Sequence, residues 1–131
     1  GVRVIFHQMS GAALKFADDS FELVVTNNLL HEIGRDTRCQ MMREAHRVVA
    51  PGGLVIHQDV PIRAAPSLVA QVERGWDEKY NGEIFWNVYA GDDLKADMHA
   101  AGFAGAAITE TRVEKISGAG GWYLLAGEKA A

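Results

Sequence analysis

Two histidines stand next to carboxylates in this chain. His31 precedes Glu32 at the end of the segment Thr26-Asn27-Asn28-Leu29-Leu30-His31-Glu32, and His57 lies two residues before Asp59. An imidazole titrates near neutrality, which makes His31 the candidate general base. The plainer reading of His31 is a helix-start histidine that packs or caps. Metal chemistry is not expected. No second histidine follows His31-Glu32 at the helical spacing of a zinc-protease motif. His57 with Asp59 is too small a ligand set, and His7, His46 and His99 are scattered. Trp76, Tyr80, Phe85, Trp86 and Tyr89 concentrate aromatic mass in one stretch. They would either wall an apolar substrate pocket or form a satellite core under a long loop.

The elements that must position these groups follow from apolar patterning. Val2 to Phe6 reads as a strand, and Ser10-Gly11 and Asp18-Asp19-Ser20 as turns. Phe21-Glu22-Leu23-Val24-Val25 reads as a short buried strand. A helix is predicted from near Asp36, with Met41, Met42, Ala45, Val48 and Val49 as its apolar stripe. Pro51-Gly52-Gly53 should stop it, because proline cannot continue the ladder and glycine accepts a left-handed exit. Leu54-Val55-Ile56 is the next buried strand, and Pro61 and Pro66 bracket a loop. A helix over 67–80 carries Leu68, Val69, Val72 and Trp76, and 81–91 reads as irregular. Asp92 is the expected cap of a further helix with Leu94, Met98 and Ala101 inward and Gly102 at its end. Residues 103–113 and 122–126 read as strands around a Ser117–Gly121 loop, too close together for a crossover helix and hence antiparallel. Strands alternating with helices predict one α/β domain over residues 1–131, a mostly parallel sheet with helices on both faces and a C-terminal antiparallel hairpin.

Composition narrows the function classes. With 131 residues, 48% hydrophobic and 23% charged, the chain is an ordinary single globular domain. A net charge of −4 without a basic run argues against a nucleic-acid or acidic-membrane binder. Cys39 is the only cysteine, so an intramolecular disulfide is excluded and a reducing cytoplasm is the simplest compartment. No apolar run approaches the roughly 20 residues of a membrane span.

Three segments carry a resemblance. Leu14-Lys15-Phe16-Ala17-Asp18-Asp19-Ser20-Phe21-Glu22-Leu23-Val24, Arg47-Val48-Val49-Ala50-Pro51-Gly52-Gly53-Leu54 and Ala101-Gly102-Phe103 resemble, in order and spacing, segments of the class I S-adenosylmethionine-dependent methyltransferases. Each piece alone has a mechanical explanation; their joint order does not. The resemblance implies a Rossmann-like fold, S-adenosylmethionine as cofactor and a small-molecule methyl acceptor. It implies that Ser10 and Gly11 hold the adenine, or form a plain turn. It places Asn27 and Asn28 at the cofactor's methionine end, with Trp76, Tyr80, Trp86 and Tyr89 over the substrate.

The family's glycine-rich cofactor loop has no counterpart here. Gly118, Gly120 and Gly121 neither follow a parallel strand nor open a helix. The expectation is therefore a domain lacking its first strands, inactive or nearly so alone, with Val2 to Phe6 as the family's third strand. The strand at Phe21 would then have an open edge, which predicts a homodimer closing it. The alternative is a non-catalytic Rossmann-like association module. A nicotinamide oxidoreductase shares the fold class, but the closing hairpin and the Pro-Gly-Gly turn speak against it.

Overall fold

The computed structural model describes residues 1–60, 67–114 and 121–131. The loop bracketed by Pro61 and Pro66, and the loop glycines Gly118 and Gly120, lie outside the described residues.

Four strands form one sheet: β1 (Phe21–Asn27), β2 (Val49–Asp59), β3 (Ile108–Glu114) and β4 (Gly121–Glu128), in the order β1-β2-β4-β3. β1 and β2 are parallel, and β4 runs antiparallel to both β2 and β3. The expected hairpin is therefore present, with its returning strand inserted against β2. Between the strands lie α1 (Arg35–Val48), α2 (Leu68–Tyr80), α3 (Trp86–Gly91) and α4 (Leu94–Ala100).

α1 forms because its apolar residues recur at helical spacing: Met41, Met42, Ala45 and Val48 are all buried. Its cap is Gly34, with no side-chain hydrogen bond, rather than Asp36. The helix passes directly into β2, so Pro51-Gly52-Gly53 sits inside the strand and does not end the helix. The turn chemistry operates one step later. Gly52 has φ +75°, and a Cβ at Gly53 would lie 2.8 Å from the Ala50 carbonyl oxygen and 2.9 Å from that of Glu22. Glycine is required there because two backbones converge where the β1–β2 register shifts.

α4 presents Leu94 and Met98 inward, and Gly102 leaves it at φ +118°. Its cap is Asp93, whose carboxylate accepts from the Ala96 N–H; Asp92 serves elsewhere. α3 occupies part of the stretch predicted irregular, because Tyr89 finds a fully buried seat that holds one helical turn in place. Residues 103–107 carry a short 3-10 turn, Gly105–Ala107, so β3 begins later than expected.

Two expectations fail for the same reason. Val2, Val4, Ile5 and Phe6 form no strand and stand exposed. β1 is an edge strand, as expected for the strand at Phe21, but Leu23 and Val25 are exposed rather than buried. An apolar run earns burial only where another layer covers it, and here α1 and α4 contact one another and the sheet on a single face. That face holds the core of Val55, Leu125, Ile108, Met42, Met98 and Phe103. α2 packs on α3 and leaves Leu68, Val69, Val72 and Trp76 exposed, so it does not supply the second helical layer.

Long-range polar contacts seal the α1–β2 junction. Arg47 donates to the carbonyls of Leu14 and Phe16 and to Asp18 at 2.6 Å, while Lys129 beyond β4 reaches Asp19 at 2.6 Å and the Val49 carbonyl at 2.9 Å. No helix among the described residues is long and apolar enough to cross a membrane.

Candidate functional site

The parallel pairing of β1 with β2 brings Thr26 opposite His57 and Asn27 opposite Gln58. Asn28 extends the pairing by donating its N–H to the Gln58 carbonyl at 2.9 Å, then turns the chain away at φ +50°. Asparagine tolerates this left-handed conformation better than most residues. The chain then folds over the end of β2 as a 3-10 turn, Leu30–Glu32.

Asp59, the last residue of β2, is fully buried and receives that turn. Its carboxylate accepts the Leu30 N–H at 2.7 Å and the Val60 N–H at 2.7 Å, and faces His31 Nδ1 at 2.5 Å. His31 itself is only 5% exposed. With Nδ1 donating to Asp59, the lone pair of the imidazole lies on Nε2. The rings of Trp86 and Tyr89 on α3 approach His31 edge-on, at centroid distances of 5.9 and 6.2 Å.

His57 lies behind this pair. Its Nδ1 shares a hydrogen bond of 2.8 Å with Thr26 Oγ1, and Nε2 is buried with no partner among the described residues. Burial pushes its pKa down to about 4, against the opposing pull of the Asp59 charge. His57 is thus neutral at neutral pH. The sequence placed His57 and Asp59 together; the fold gives Asp59 to His31 and His57 to Thr26.

Arg38 secures the turn from the α1 side. It is fully buried, donates to the carbonyls of Leu30 at 3.2 Å and Ile33 at 3.4 Å, pairs with Asp92, and lies 5.8 Å from the Tyr89 ring centre. Sequence reading passed over Arg38, although it shares the stripe of Met41, Met42 and Ala45. A lone charged residue on a buried face was the available signal. Glu83 was also missed. Its carboxylate joins His31 and Glu32, with candidate donor atoms of the three residues within 4.8 Å of one another. Nothing in its spacing from His31 announced that.

The other predicted residues are placed as follows. Asn27 and Asn28 are exposed at the C-terminal end of β1. Ser10 is exposed, and its Oγ accepts from the Ala12 N–H at 3.2 Å. Gly11 packs on α1, where an added Cβ would meet Met41 Sδ at 3.2 Å. The four aromatic residues divide into two pairs. Trp86 and Tyr89 flank His31, Tyr89 as a fully buried core residue. Trp76 and Tyr80 pack on each other at 4.5 Å on the exposed face of α2.

Residues 1–57 match the family model described as a methyltransferase domain. A SAM-dependent methyltransferase from Methanosarcina mazei superposes with a TM-score of 0.63 at 16% identity, over 94% of this chain and 66% of that one. The fold is that of a SAM-dependent methyltransferase. A possible histamine N-methyltransferase from Thermotoga maritima gives a TM-score of 0.64 at 18% identity, over 91% and 61% of the two chains. Phosphoethanolamine N-methyltransferase 2 of Haemonchus contortus gives 0.65 at 12% identity, over 92% and 36%. The chain therefore spans from about a third to about two thirds of the length of these methyltransferases. No curated protein matches the sequence. Within a methyltransferase fold, the His31–Asp59 pair lies at the C-terminal ends of parallel strands, the end at which open α/β sheets bind their ligands.

Proposed function

We propose that this chain is part of an S-adenosylmethionine-dependent methyltransferase acting on a small-molecule acceptor, with His31 as its general base. One observation carries the reading: a buried carboxylate, Asp59, holds the imidazole of His31 at the C-terminal end of the parallel strand pair. Orientation by a second group is how an imidazole is kept in one tautomer, with its free nitrogen toward a substrate.

The cofactor supplies a methyl group on a sulfonium centre, so the protein's work is positioning, water exclusion and proton removal. The exposed amides of Asn27 and Asn28 suit the holding role, each offering donors and an acceptor at the strand end. Ser10 Oγ accepts within its own turn and keeps its hydrogen to donate. Gly11 packs on Met41 and, with Ser10, forms the turn that holds the adenine. Nε2 of His31 takes the acceptor's proton, and Trp86 and Tyr89 keep water from the imidazole. Trp76 and Tyr80 offer an apolar surface beyond them.

Titration of the isotopically labelled chain with S-adenosylhomocysteine, followed by amide NMR, tests the holding role. Shifts centred on Asn27, Asn28 and His31 support it; shifts confined to other elements overturn it.

A second reading, association, is favoured by the edge position of β1 and the exposure of Leu23 and Val25. In it a second copy pairs along β1. Sedimentation equilibrium of the chain and of a Leu23→Lys, Val25→Lys variant tests it, and a monomer in both cases removes it.

A further inference from the structure

His31 Nε2 and the carboxylates of Glu32 and Glu83 converge beside the His31–Asp59 pair. His31 Nε2 lies 3.3 Å from Glu32 Oε1. Glu83, ahead of α3, brings its carboxylate to the same point, and candidate donor atoms of the three residues lie within 4.8 Å of one another. Glu83 Oε2 is buried and accepts no hydrogen bond among the described residues. A buried carboxylate oxygen without a donor is costly, and the cost grows with a second carboxylate beside it. A cation placed among the three relieves all of it at once.

We propose that His31, Glu32 and Glu83 form a binding site for a divalent first-row transition ion, zinc or manganese. One imidazole and two carboxylates are ligands that such ions accept, and three protein ligands leave a further position open. Magnesium suits the site less well, since it favours oxygen ligands and retains water. Asp59 completes the arrangement from behind. A metal-bound histidine commonly donates its other N–H to a carboxylate, which is the relation of His31 Nδ1 to Asp59. Glu32 is exposed and can close the remaining distance by side-chain rotation. The inference goes beyond the methyltransferase reading. An ion on Nε2 occupies the lone pair that would take a proton, so metal binding and general-base action exclude each other at this atom.

Calorimetric titration of the chelator-treated chain with zinc chloride and with manganese chloride tests the proposal without recourse to activity. One ion per chain is expected. The isosteric changes Glu83→Gln and Glu32→Gln should each lower the association constant by at least about ten-fold, with thermal melts confirming that both variants fold. His7→Gln and His99→Gln should leave it unchanged. Absence of one-to-one binding by either metal overturns the site, as does unchanged affinity in Glu83→Gln. Binding of methylammonium but of neither metal reassigns the cluster to an ammonium group and overturns it too.

Discussion

His31 Nδ1 lies 2.5 Å from Asp59 Oδ1, across a sheet end that separates them by 28 residues of chain. The same carboxylate takes the backbone N–H groups of Leu30 and Val60, so one side chain organises the whole turn over β2. Asp59→Ala leaves two buried groups, the Leu30 N–H and His31 Nδ1, and the half-buried Val60 N–H without their partner, and should cost about 3 kcal/mol. Urea unfolding, compared at equal slope, measures the loss. A midpoint within error of the parent would show that the turn is held by something else.

Arg38 is the counterpart of Asp59 on the helical side. Its guanidinium joins two carbonyls of the turn to Asp92, at the end of α3, under the Tyr89 ring. Arg38→Ala removes the buried partner of Asp92, which keeps Arg35 at 3.7 Å, and takes this donor from both carbonyls, with an expected loss of about 3 kcal/mol. Arg38→Lys should recover little, because an ammonium cannot serve separated partners as a planar fork does. Thermal melts of the two variants decide whether geometry or charge alone matters here.

His57 makes stability depend on pH in a fixed direction. Above its ordinary pKa of 6.5 the imidazole is neutral in folded and unfolded chains alike. Below that value the unfolded chain binds a proton that the folded chain refuses until about pH 4. Stability therefore falls across this window, by about 3 kcal/mol in total. His46, also lowered by burial, acts in the same direction. Denaturant midpoints at pH 7 and pH 5 should differ accordingly, and His57→Gln should flatten the difference. An unchanged slope in that variant would mean that other groups set the acid limb.

Gly53 lies where β1 and β2 approach most closely. Gly53→Ala puts a methyl group into contact with two carbonyl oxygens and Val49 Cγ2 at 2.8–2.9 Å. The strands must part locally, at about 2–3 kcal/mol. Gly52→Ala, by contrast, meets open space and is opposed only by its φ of +75°. It should therefore cost less, about 1 kcal/mol. Equal losses in the two variants would refute the close-approach argument.

Much of the fold was legible from local patterning. The α1 stripe, the end of α4 at Gly102 and the closing hairpin all rest on contacts between near neighbours, which periodicity and turn residues encode. The failures were of a different kind. Val2 to Phe6, Leu23 and Val25 have strand-like composition, but burial depends on what stands opposite, and composition does not specify an opposing layer. α3 was missed because its one deep anchor, Tyr89, is seated against Arg38 of α1 and His31 of the turn after β1, both distant along the chain.

The sequence by itself determined the segments of β1, α1, β2, α2, α4 and the closing hairpin, and it offered His31 as the candidate base. Only the tertiary structure decided who partners whom. It gave Asp59 to His31, His57 to Thr26, Arg38 to the turn carbonyls and Glu83 to the imidazole's far side. Periodicity reports which face of an element is apolar. The meeting of two side chains distant along the chain depends on strand register and on helix seating, which arise only when the whole sheet is assembled.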